Sequence, residues 1–275
     1  MTPFYKRKLF WILFGLPNLL SILYFGVLAA PQYTSHSSII IYQSAASGAP
    51  PEDLQLEQGG GVSVEGDYLI QNFITSWHCF SALDHTNLQT AWSKGDILTR
   101  FGGAASFFSG NLTSLYNYYL GHVSTHIDNN SAIMTLSVRG YDPAFVLALN
   151  RNILKASAQA INQINAQAYE SADLFFQPRL IAAQAALNAA KQTEAAQIPP
   201  SDATRTLMDE AQANLHAVES QRLAAQQATL QHLYFMNYIN QPALPPNPTA
   251  PDRLLWIVSI LAGTFLLYLI VKPSR

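Results

Sequence analysis

The chain has 275 residues, of which 49% are hydrophobic and 12% are charged, whereas soluble domains usually carry roughly 25% charged residues. The net charge of −2 disfavours a nucleic-acid binder that works through a basic face. A single cysteine, Cys79, excludes an internal disulfide framework and a zinc site made of cysteines alone.

Two uncharged apolar stretches lie near the ends of the sequence. Leu9 to Ala30 is long enough as a helix to cross a hydrocarbon core of about 30 Å, and Leu254 to Val271 is close to the lower limit for a span. Basic residues lie outside both stretches, namely Lys6, Arg7, Lys8, Lys272 and Arg275. Because short flanks rich in Lys and Arg stay in the cytoplasm, we expect both termini to be cytoplasmic.

A cleavable signal peptide is the alternative interpretation of the first stretch. Val27-Leu28-Ala29 is an acceptable cleavage site. The apolar run, however, exceeds the roughly 7–15 residues of a signal sequence, so we expect an uncleaved anchor.

Residues 31–142 predict a base of strands and short helices. Tyr33 to Tyr42 is rich in β-branched and aromatic residues and favours a strand, whereas residues 44–61 have the glycines and prolines of a long loop. Apolar residues recur at helical spacing from Tyr68 to Trp77, with Asp67 as a possible N-cap. A second short helix is expected at Leu83 to Trp92.

A β-hairpin is predicted next, from His122 to Ile127 and from Ala132 to Val138. Asp128 to Ser131 would form its turn, because Asp and Asn tolerate left-handed backbone. His122 and His126 would share one strand face, and an exposed sheet face is the preferred interpretation of this pair.

A long helical hairpin is predicted over residues 143–233. Asp142 suits the N-cap of its first helix, and Pro143 at the first position loses no hydrogen bond. Glycine is absent from there to Gln197, and Pro178 should kink or split the helix.

The tip of this hairpin is expected near residues 198–201, where Pro199 and Pro200 stop the first helix. A second helix of similar length would run from Ser201-Asp202 to about His232 and pair antiparallel with the first. Residues 234–253 then predict a strand that returns to the base, followed by a stiff strap. The prolines of the strap are Pro242, Pro245, Pro246, Pro248 and Pro251.

No pattern predicts a catalytic, cofactor-binding or metal site. A phosphate-binding Gly-rich loop, a Gly-x-Ser-x-Gly elbow and a His-Glu-x-x-His helix are all missing from the sequence. His78, Cys79, Asp84 and His85 lie close together, but a packed cysteine beside two polar histidines is preferred over a metal site.

Assembly is the role that the remaining patterns favour. Ser259 and Gly263, like Gly26 and Ala30, are small residues four positions apart, which lets membrane helices approach closely. All 17 acidic side chains lie within residues 31–253, together with 10 of the 15 basic ones, so this region is near −7. Charge alone would not attract an acidic polymer to it, and we expect any such polymer to be enclosed rather than gripped.

The order of these parts resembles the polysaccharide co-polymerases, and most of all the inner-membrane capsule polysaccharide export proteins of the KpsE/BexC/CtrB type. Four stretches carry the resemblance: Pro31 to Ser35 after the first span, Tyr68 to Ser76 with the following Leu83-Asp84, Val123 to Val138 with Tyr141-Asp142-Pro143, and Pro242 to Arg253. The chain is short for this family, mostly in the helical hairpin.

The resemblance implies an α+β membrane protein in which two transmembrane helices flank a periplasmic α/β base domain with a long antiparallel helical hairpin. The expected division is a cytoplasmic N-terminus at 1–8, transmembrane helices at 9–30 and 254–271, the base domain at 31–142, the hairpin at 143–233, the returning strand and strap at 234–253, and a cytoplasmic C-terminus at 272–275.

The function that the resemblance implies is export of capsular polysaccharide, or of a similar exopolysaccharide, by an ABC transporter in the bacterial inner membrane. The chain would be a non-enzymatic subunit without a cofactor. Its implied partners are further copies of itself, the transporter permease and ATPase, an outer-membrane polysaccharide export channel, the polysaccharide and membrane lipid, but no nucleic acid. The alternative is a chain-length regulator that acts with a polymerase and shares this architecture.

Overall fold

A computed structural model describes residues 10–44, 63–103, 111–196 and 201–271 of the chain. Both apolar stretches are helical. The first consists of α1 (Leu16–Leu23) between π-helical turns at Trp11–Gly15 and Tyr24–Leu28, and the second is a single helix at Arg253–Val271. Each is long and apolar enough to cross a membrane.

A four-stranded antiparallel sheet organises the base, in the order β2-β3-β1-β4. Its strands are β1 (Tyr33–Gln43), β2 (Val123–Asp128), β3 (Ile133–Gly140) and β4 (Tyr234–Asn240). β1 is central because its first half pairs with β3 and its second half pairs with β4. The chain that returns from the helical hairpin is therefore joined to the strand that follows the first apolar helix.

Four short helices cover the base, and each begins at a side chain that caps it. They are α2 (Val64–Ile74), α3 (Trp77–Ser81), α4 (His85–Trp92) and α5 (Leu112–His122). Ser63, Ser76, Asp84 and Asn111 each accept a hydrogen bond from a backbone N–H of the first turn, which satisfies donors that the helix leaves open. Phe80, Trp92 and Tyr119 from these helices are fully buried in the core.

The N-cap predicted for the first of these helices is wrong. Ser63 Oγ accepts the hydrogen bond from Gly66 N at 3.0 Å, so α2 begins before Asp67. Asp67 then lies within the first turn and is buried. The expected helix at Leu83 to Trp92 is present as α4, which begins at His85 because Asp84 Oδ1 accepts from Thr86 N and Asn87 N.

The β-hairpin is present, with two corrections. His122 is the last residue of α5, not part of a strand, and its Nδ1 lies 2.9 Å from the carbonyl oxygen of Tyr118. His122 and His126 therefore do not share a strand face. In the turn, Asp128 accepts hydrogen bonds from Asn130 N and Ser131 Oγ, and the left-handed residue is Ala132 (φ 47°).

The long helices are α6 (Pro143–Ala196) and α7 (Asp202–Leu230). Asp142 Oδ1 accepts from Ala144 N at 2.9 Å at the start of α6, and the helix continues through Pro178 without a split. The two lengths, 54 and 29 residues, contradict the expected similarity. The difference arises because the first part of α6 packs on the sheet, where Val146 and Ile153 are fully buried. Pro199 and Pro200 lie outside the described residues.

We name the second apolar helix α8 (Arg253–Val271). It follows the proline-rich strap and packs beside the first span. We call the part of α6 beyond Asn165, together with α7, the helical arm. The described chain thus consists of a pair of apolar terminal helices, a mixed base with an antiparallel sheet, and this arm.

Candidate functional site

The two apolar helices contact each other along their length. Asn18 Nδ2 donates to Thr264 Oγ1 at 2.9 Å and to the carbonyl oxygen of Phe14 at 2.6 Å. Aromatic pairs lie on both sides of this bond, namely Phe10 with Tyr268 (ring centroids 5.3 Å apart) and Phe25 with Trp256 (5.9 Å, nearly parallel). The helices therefore run antiparallel, with a polar bond at the middle of an apolar seam.

The small residues singled out in these helices lie away from this seam. A Cβ atom built on Gly26 or Gly263 would meet no atom within 4 Å, and Ser259 is exposed. None of these three residues places a side-chain position in the seam, and Gly26 contacts the second helix through its carbonyl oxygen, which accepts from Arg253. Ala30 is half-buried, and its backbone N–H is bound by Asp96 at 3.2 Å.

Asp96 joins the C-terminal end of the first apolar helix to the base. Its Oδ1 accepts from Tyr24 OH at 3.2 Å and from the backbone N–H groups of Leu98 and Thr99, while its Oδ2 accepts from Ala30 N. Burial would raise the pKa of Asp96, but the hydrogen bonds from Thr99, Ala30 and Leu98 outweigh it and hold the pKa below its usual value. The carboxylate is thus charged at neutral pH and binds both the end of the first apolar helix and the turn that follows Asp96 itself.

Arg253 closes the same junction from the other helix. Its guanidinium donates to the carbonyl oxygens of Gly26 (3.5 Å) and Ala29 (3.3 Å), which are left open where the first span ends. A cation at a helix C-terminus also interacts favourably with the helix dipole. Asp96 and Arg253 together define what we call the membrane junction.

The strap is bound to the start of β1. Gln32 N donates to Ala250 O at 2.8 Å, and Thr249 N donates to Gln32 O at 2.7 Å. The hydroxyl groups of Thr34 and Thr249 are 2.7 Å apart. Of the strap prolines, the buried ones are Pro242 and Pro245, the half-buried one is Pro251, and the exposed ones are Pro246 and Pro248.

Two asparagines, the buried Asn150 and the half-buried Asn165, fix α6 on the sheet. Asn150 accepts from Ser37 Oγ at 2.8 Å and donates to the carbonyl oxygen of Ser35 at 3.1 Å. Asn165 forms two bonds with the backbone of Tyr234, donating to its carbonyl oxygen at 2.8 Å and accepting from its N–H at 3.0 Å. Both amides have their donor and acceptor satisfied, so α6 has one defined position on the base.

The arm has a polar link of its own. Asp173 on α6 accepts from Arg222 Nε at 2.8 Å and also from the Arg222 Nη2 group. The hydrogen bonds from Arg222 lower the pKa of Asp173 despite some desolvation. Both bonds end on the same oxygen, Asp173 Oδ1, and this ion pair links α6 to α7.

The side chains considered for metal chemistry have structural roles. Cys79 is fully buried with its sulfur 3.8 Å from Tyr119 OH, and burial raises the pKa of its thiol to about 11. Asp84 caps α4, and His85 Nε2 lies 3.0 Å from the carbonyl oxygen of Phe80. Within the described ranges, no group of three His, Cys, Asp or Glu residues could hold a metal ion.

Sequence reasoning missed Asn18, Thr264, Asp96 and Arg253. Asn18 could have been noticed, because a lone amide within an apolar span usually has a partner and a role. Thr264 and Asp96 are distant in sequence from the residues they bind, so no local pattern marks them.

No protein-family model matches the chain. The sequence is similar to three kinds of curated proteins that are all named capsule polysaccharide export inner-membrane proteins. BexC of Haemophilus influenzae is 33% identical over 60% of this chain and 47% of its own length, and CtrB of Neisseria meningitidis serogroup A is 30% identical over 58% and 42%. KpsE of Escherichia coli is 23% identical over 68% of this chain and 49% of its own length.

These matches confirm the resemblance stated from the sequence motifs, and the chain spans about half the length of the curated relatives it matches. Solved structures are also similar. A full-length bacterial polysaccharide co-polymerase matches 96% of this chain and 91% of its own, with 13% identity and a TM-score of 0.32. A fragment of the co-polymerase WzzB from Salmonella Typhimurium matches 80% and 100%, with 12% identity and a TM-score of 0.34.

Proposed function

We propose that the chain is an inner-membrane subunit of an ABC-transporter-dependent export complex for capsular polysaccharide or a similar exopolysaccharide. The observation that carries this proposal is the sequence similarity to BexC, CtrB and KpsE, whose names state that they are capsule polysaccharide export inner-membrane proteins. The role is one of assembly: the chain holds other components in place and carries out no chemical step.

The proposed topology places both termini in the cytoplasm and residues 31–253 in the periplasm. The antiparallel contacts of the two spans support it, because Phe10 lies beside Tyr268 at one end of the seam and Phe25 lies beside Trp256 near the other. Residues 31–253 then leave and re-enter the membrane on the same side. The basic flanks of both spans favour the cytoplasm for the other side.

A reporter enzyme that is active only in the periplasm tests this topology. Fused after Gln58 or at Pro199, it should be active, and fused after Arg275 it should be silent. The opposite pattern would exclude a role in export from this orientation.

In the proposed assembly, several copies surround the transporter, and the arm of each copy projects into the periplasm towards an outer-membrane channel. The membrane junction supports this arrangement, because Asp96 ties the base to the end of the first span and Arg253 ties that end to the second span. The arm would therefore have a defined direction relative to the membrane. The polymer would follow a path enclosed by the copies.

Deletion of the gene, followed by measurement of polysaccharide at the cell surface and inside the cell, tests the proposed function. We expect loss of surface polymer, accumulation inside the cell, and recovery when the gene is restored. Normal amounts of surface polymer with an altered distribution of chain lengths would instead support the chain-length regulator. Surface polymer unchanged in both amount and length would contradict both.

A further inference from the structure

A basic cleft lies where α6 passes the end of β4 and the beginning of the strap. Its volume is about 360 Å³, and its lining includes Arg151, Lys155, Tyr238, Gln241 and Pro242. Arg151 and Lys155 are four positions apart on α6, so their side chains lie on one face of the helix. We call this feature the α6–β4 cleft.

The charges of the cleft oppose those of the region around it. Residues 31–253 have a net charge near −7, yet the charged residues that line the cleft are both cations. Arg151 and Lys155 are exposed, and neither is in any of the ion pairs found in the described part of the chain. Two unpaired cations in a concave site attract an anion more strongly than the same charges on an open surface.

The other lining groups suit a sugar. Tyr238 is 41% exposed, and its ring offers an apolar face with a polar hydroxyl at its tip. The exposed amide of Gln241 can both donate to and accept from a hydroxyl group. Pro242 is buried and holds the strap at the edge of the cleft. A volume of this size is at the small end of the roughly 300–1,000 Å³ range of ligand sites.

The place of the cleft favours a polymer over a lipid headgroup. Asp142, at the start of α6, lies beside the membrane junction, since it is ion-paired at 3.1 Å with Lys94, two residues before Asp96. Arg151 and Lys155 lie roughly 14–20 Å further along the helix, at about 1.5 Å per residue. On this geometry the cleft is beyond the reach of a lipid headgroup at the junction.

We propose that the α6–β4 cleft binds a negatively charged sugar unit, with Arg151 and Lys155 on its acidic group and Tyr238 against its ring. This inference rests on the proposed function, because the polymer being exported would supply that unit. It revises the expectation that an acidic polymer is enclosed without being held: most of the surface repels the polymer, and one basic cleft on each copy binds it.

Calorimetric titration of the purified full-length chain in detergent tests the cleft directly. The probe is a hexamer of galacturonic acid, with maltohexaose as the neutral oligomer of equal length. We expect binding of the acidic hexamer that weakens as salt is raised, and at least tenfold weaker binding of maltohexaose. Equal affinity for the two oligomers, or no binding of the acidic one, would overturn the proposal. Competition by a short-chain anionic lipid would also overturn it, in favour of a lipid site.

Matched variants locate the binding. Arg151→Gln with Lys155→Gln should weaken binding of the acidic hexamer at least tenfold, whereas Lys191→Gln with Arg205→Gln removes the same charge from exposed positions on the arm and should change it less than twofold. Tyr238→Ala should weaken binding several-fold, and Tyr238→Phe, which keeps the ring, should not. An equal effect of the two double variants would mean that net charge, and not the cleft, attracts the hexamer.

The two proposals fail in different ways. If the gene is required for surface polysaccharide but the chain does not bind the acidic hexamer, the cleft proposal falls and the export role stands. If deletion of the gene leaves surface polysaccharide unchanged, the export role falls. Binding of the hexamer would in that case still assign a saccharide site to the cleft, without a role in export.

Discussion

At the scale of single residues, Asp67 has the most unfavourable environment described in the base. Its side chain is fully buried, and neither carboxylate oxygen has a hydrogen-bond partner within the described residues. Burial raises the pKa of Asp67 to about 6, because the charged form loses its hydration. Gly66 beside it packs closely on Ile41, so α2 cannot easily shift to expose the carboxylate.

Asp67→Asn should therefore stabilise the protein at neutral pH. The folded pKa is above the unfolded value, so ionisation costs stability as pH rises from about 4 through about 6, and the cost is complete above that. A two-unit shift corresponds to at most about 3 kcal/mol, and with solvent screening we expect about 1–2 kcal/mol. Thermal unfolding of the full chain in detergent should show a gain at pH 7.5 and little change at pH 4. Glu65→Gln, an exposed neighbour on the same helix, is the control, and an equal gain there would contradict the role of burial.

At the scale of elements, the two spans have separate faces for separate contacts. One face carries the seam that joins Asn18 to Thr264, and the other carries Gly26, Ser259 and Gly263. The seam is occupied within one chain, whereas a side chain at Gly26 or Gly263 would meet no atom of the same chain within 4 Å. This division allows pairing within a chain and packing between copies to be changed independently.

Thr264→Val should loosen the seam, because valine keeps the shape of threonine but cannot accept the hydrogen bond from Asn18. Polar bonds between membrane helices contribute about 0.5–2 kcal/mol. The measurement is disulfide formation between cysteines placed at Phe25 and Trp256, and Cys79 does not interfere because it is buried. Cross-linking should slow in Thr264→Val and stay unchanged in Ser259→Ala, which removes a hydroxyl group from the exposed face.

Gly263→Leu should leave the seam within one chain unchanged and weaken the packing between copies. A side chain at this position meets no atom of the same chain within 4 Å, so the cross-linking rate of the Phe25 and Trp256 cysteines should not change. Copies that pack through the glycine face would be pushed apart, and the oligomer in mild detergent should become smaller. An oligomer of unchanged mass would mean that Gly263 faces lipid.

Elements with a strong local signal could be predicted from the sequence. β1 is dense in β-branched residues, and Asp142 with Pro143 marks the start of α6. α5 was missed, because the tyrosines of Leu112–His122 give no clear apolar stripe and its position depends on Tyr119 packing in the core. The polar groups of the membrane junction were missed for another reason. Asp96 and Arg253 bind residues that lie far away in the sequence, and only the fold brings them together.

At the scale of the whole molecule, the arm and the base are separable in their contacts. Asn150 and Asn165 fix α6 to the sheet, whereas Asp173 and Arg222 hold the arm together further out. A deletion beyond Asp173 and Arg222 would thus shorten the arm without removing a described link between arm and base. Such a variant separates the reach of the arm from the folding of the base.

Deleting residues 183–196 and 202–215 removes about 14 residues, or about four turns, from each helix and keeps the two helices in register. We expect this variant to insert and oligomerise normally, because the spans, the junction and the Asp173–Arg222 pair remain. Surface polysaccharide should nevertheless be lost, since the tip would end about 20 Å short of its partner. Normal surface polysaccharide in cells that produce the shortened chain would contradict a bridging role for the arm and favour a role confined to the base.

The bonds between Asn165 and the backbone of Tyr234 have a mechanical consequence. From this point α6 extends to Ala196 as one unbroken helix, about 46 Å at about 1.5 Å per residue. A rigid rod of that length is a lever: a tilt of the base by about 5° would displace its far end by about 4 Å. The same bonds make the start of β4 the fulcrum, because β4 is hydrogen-bonded to β1 and β1 continues from the membrane junction. A small rearrangement around the spans would cause a larger displacement at the far end of the arm. A force applied at that end would likewise be transmitted to the spans.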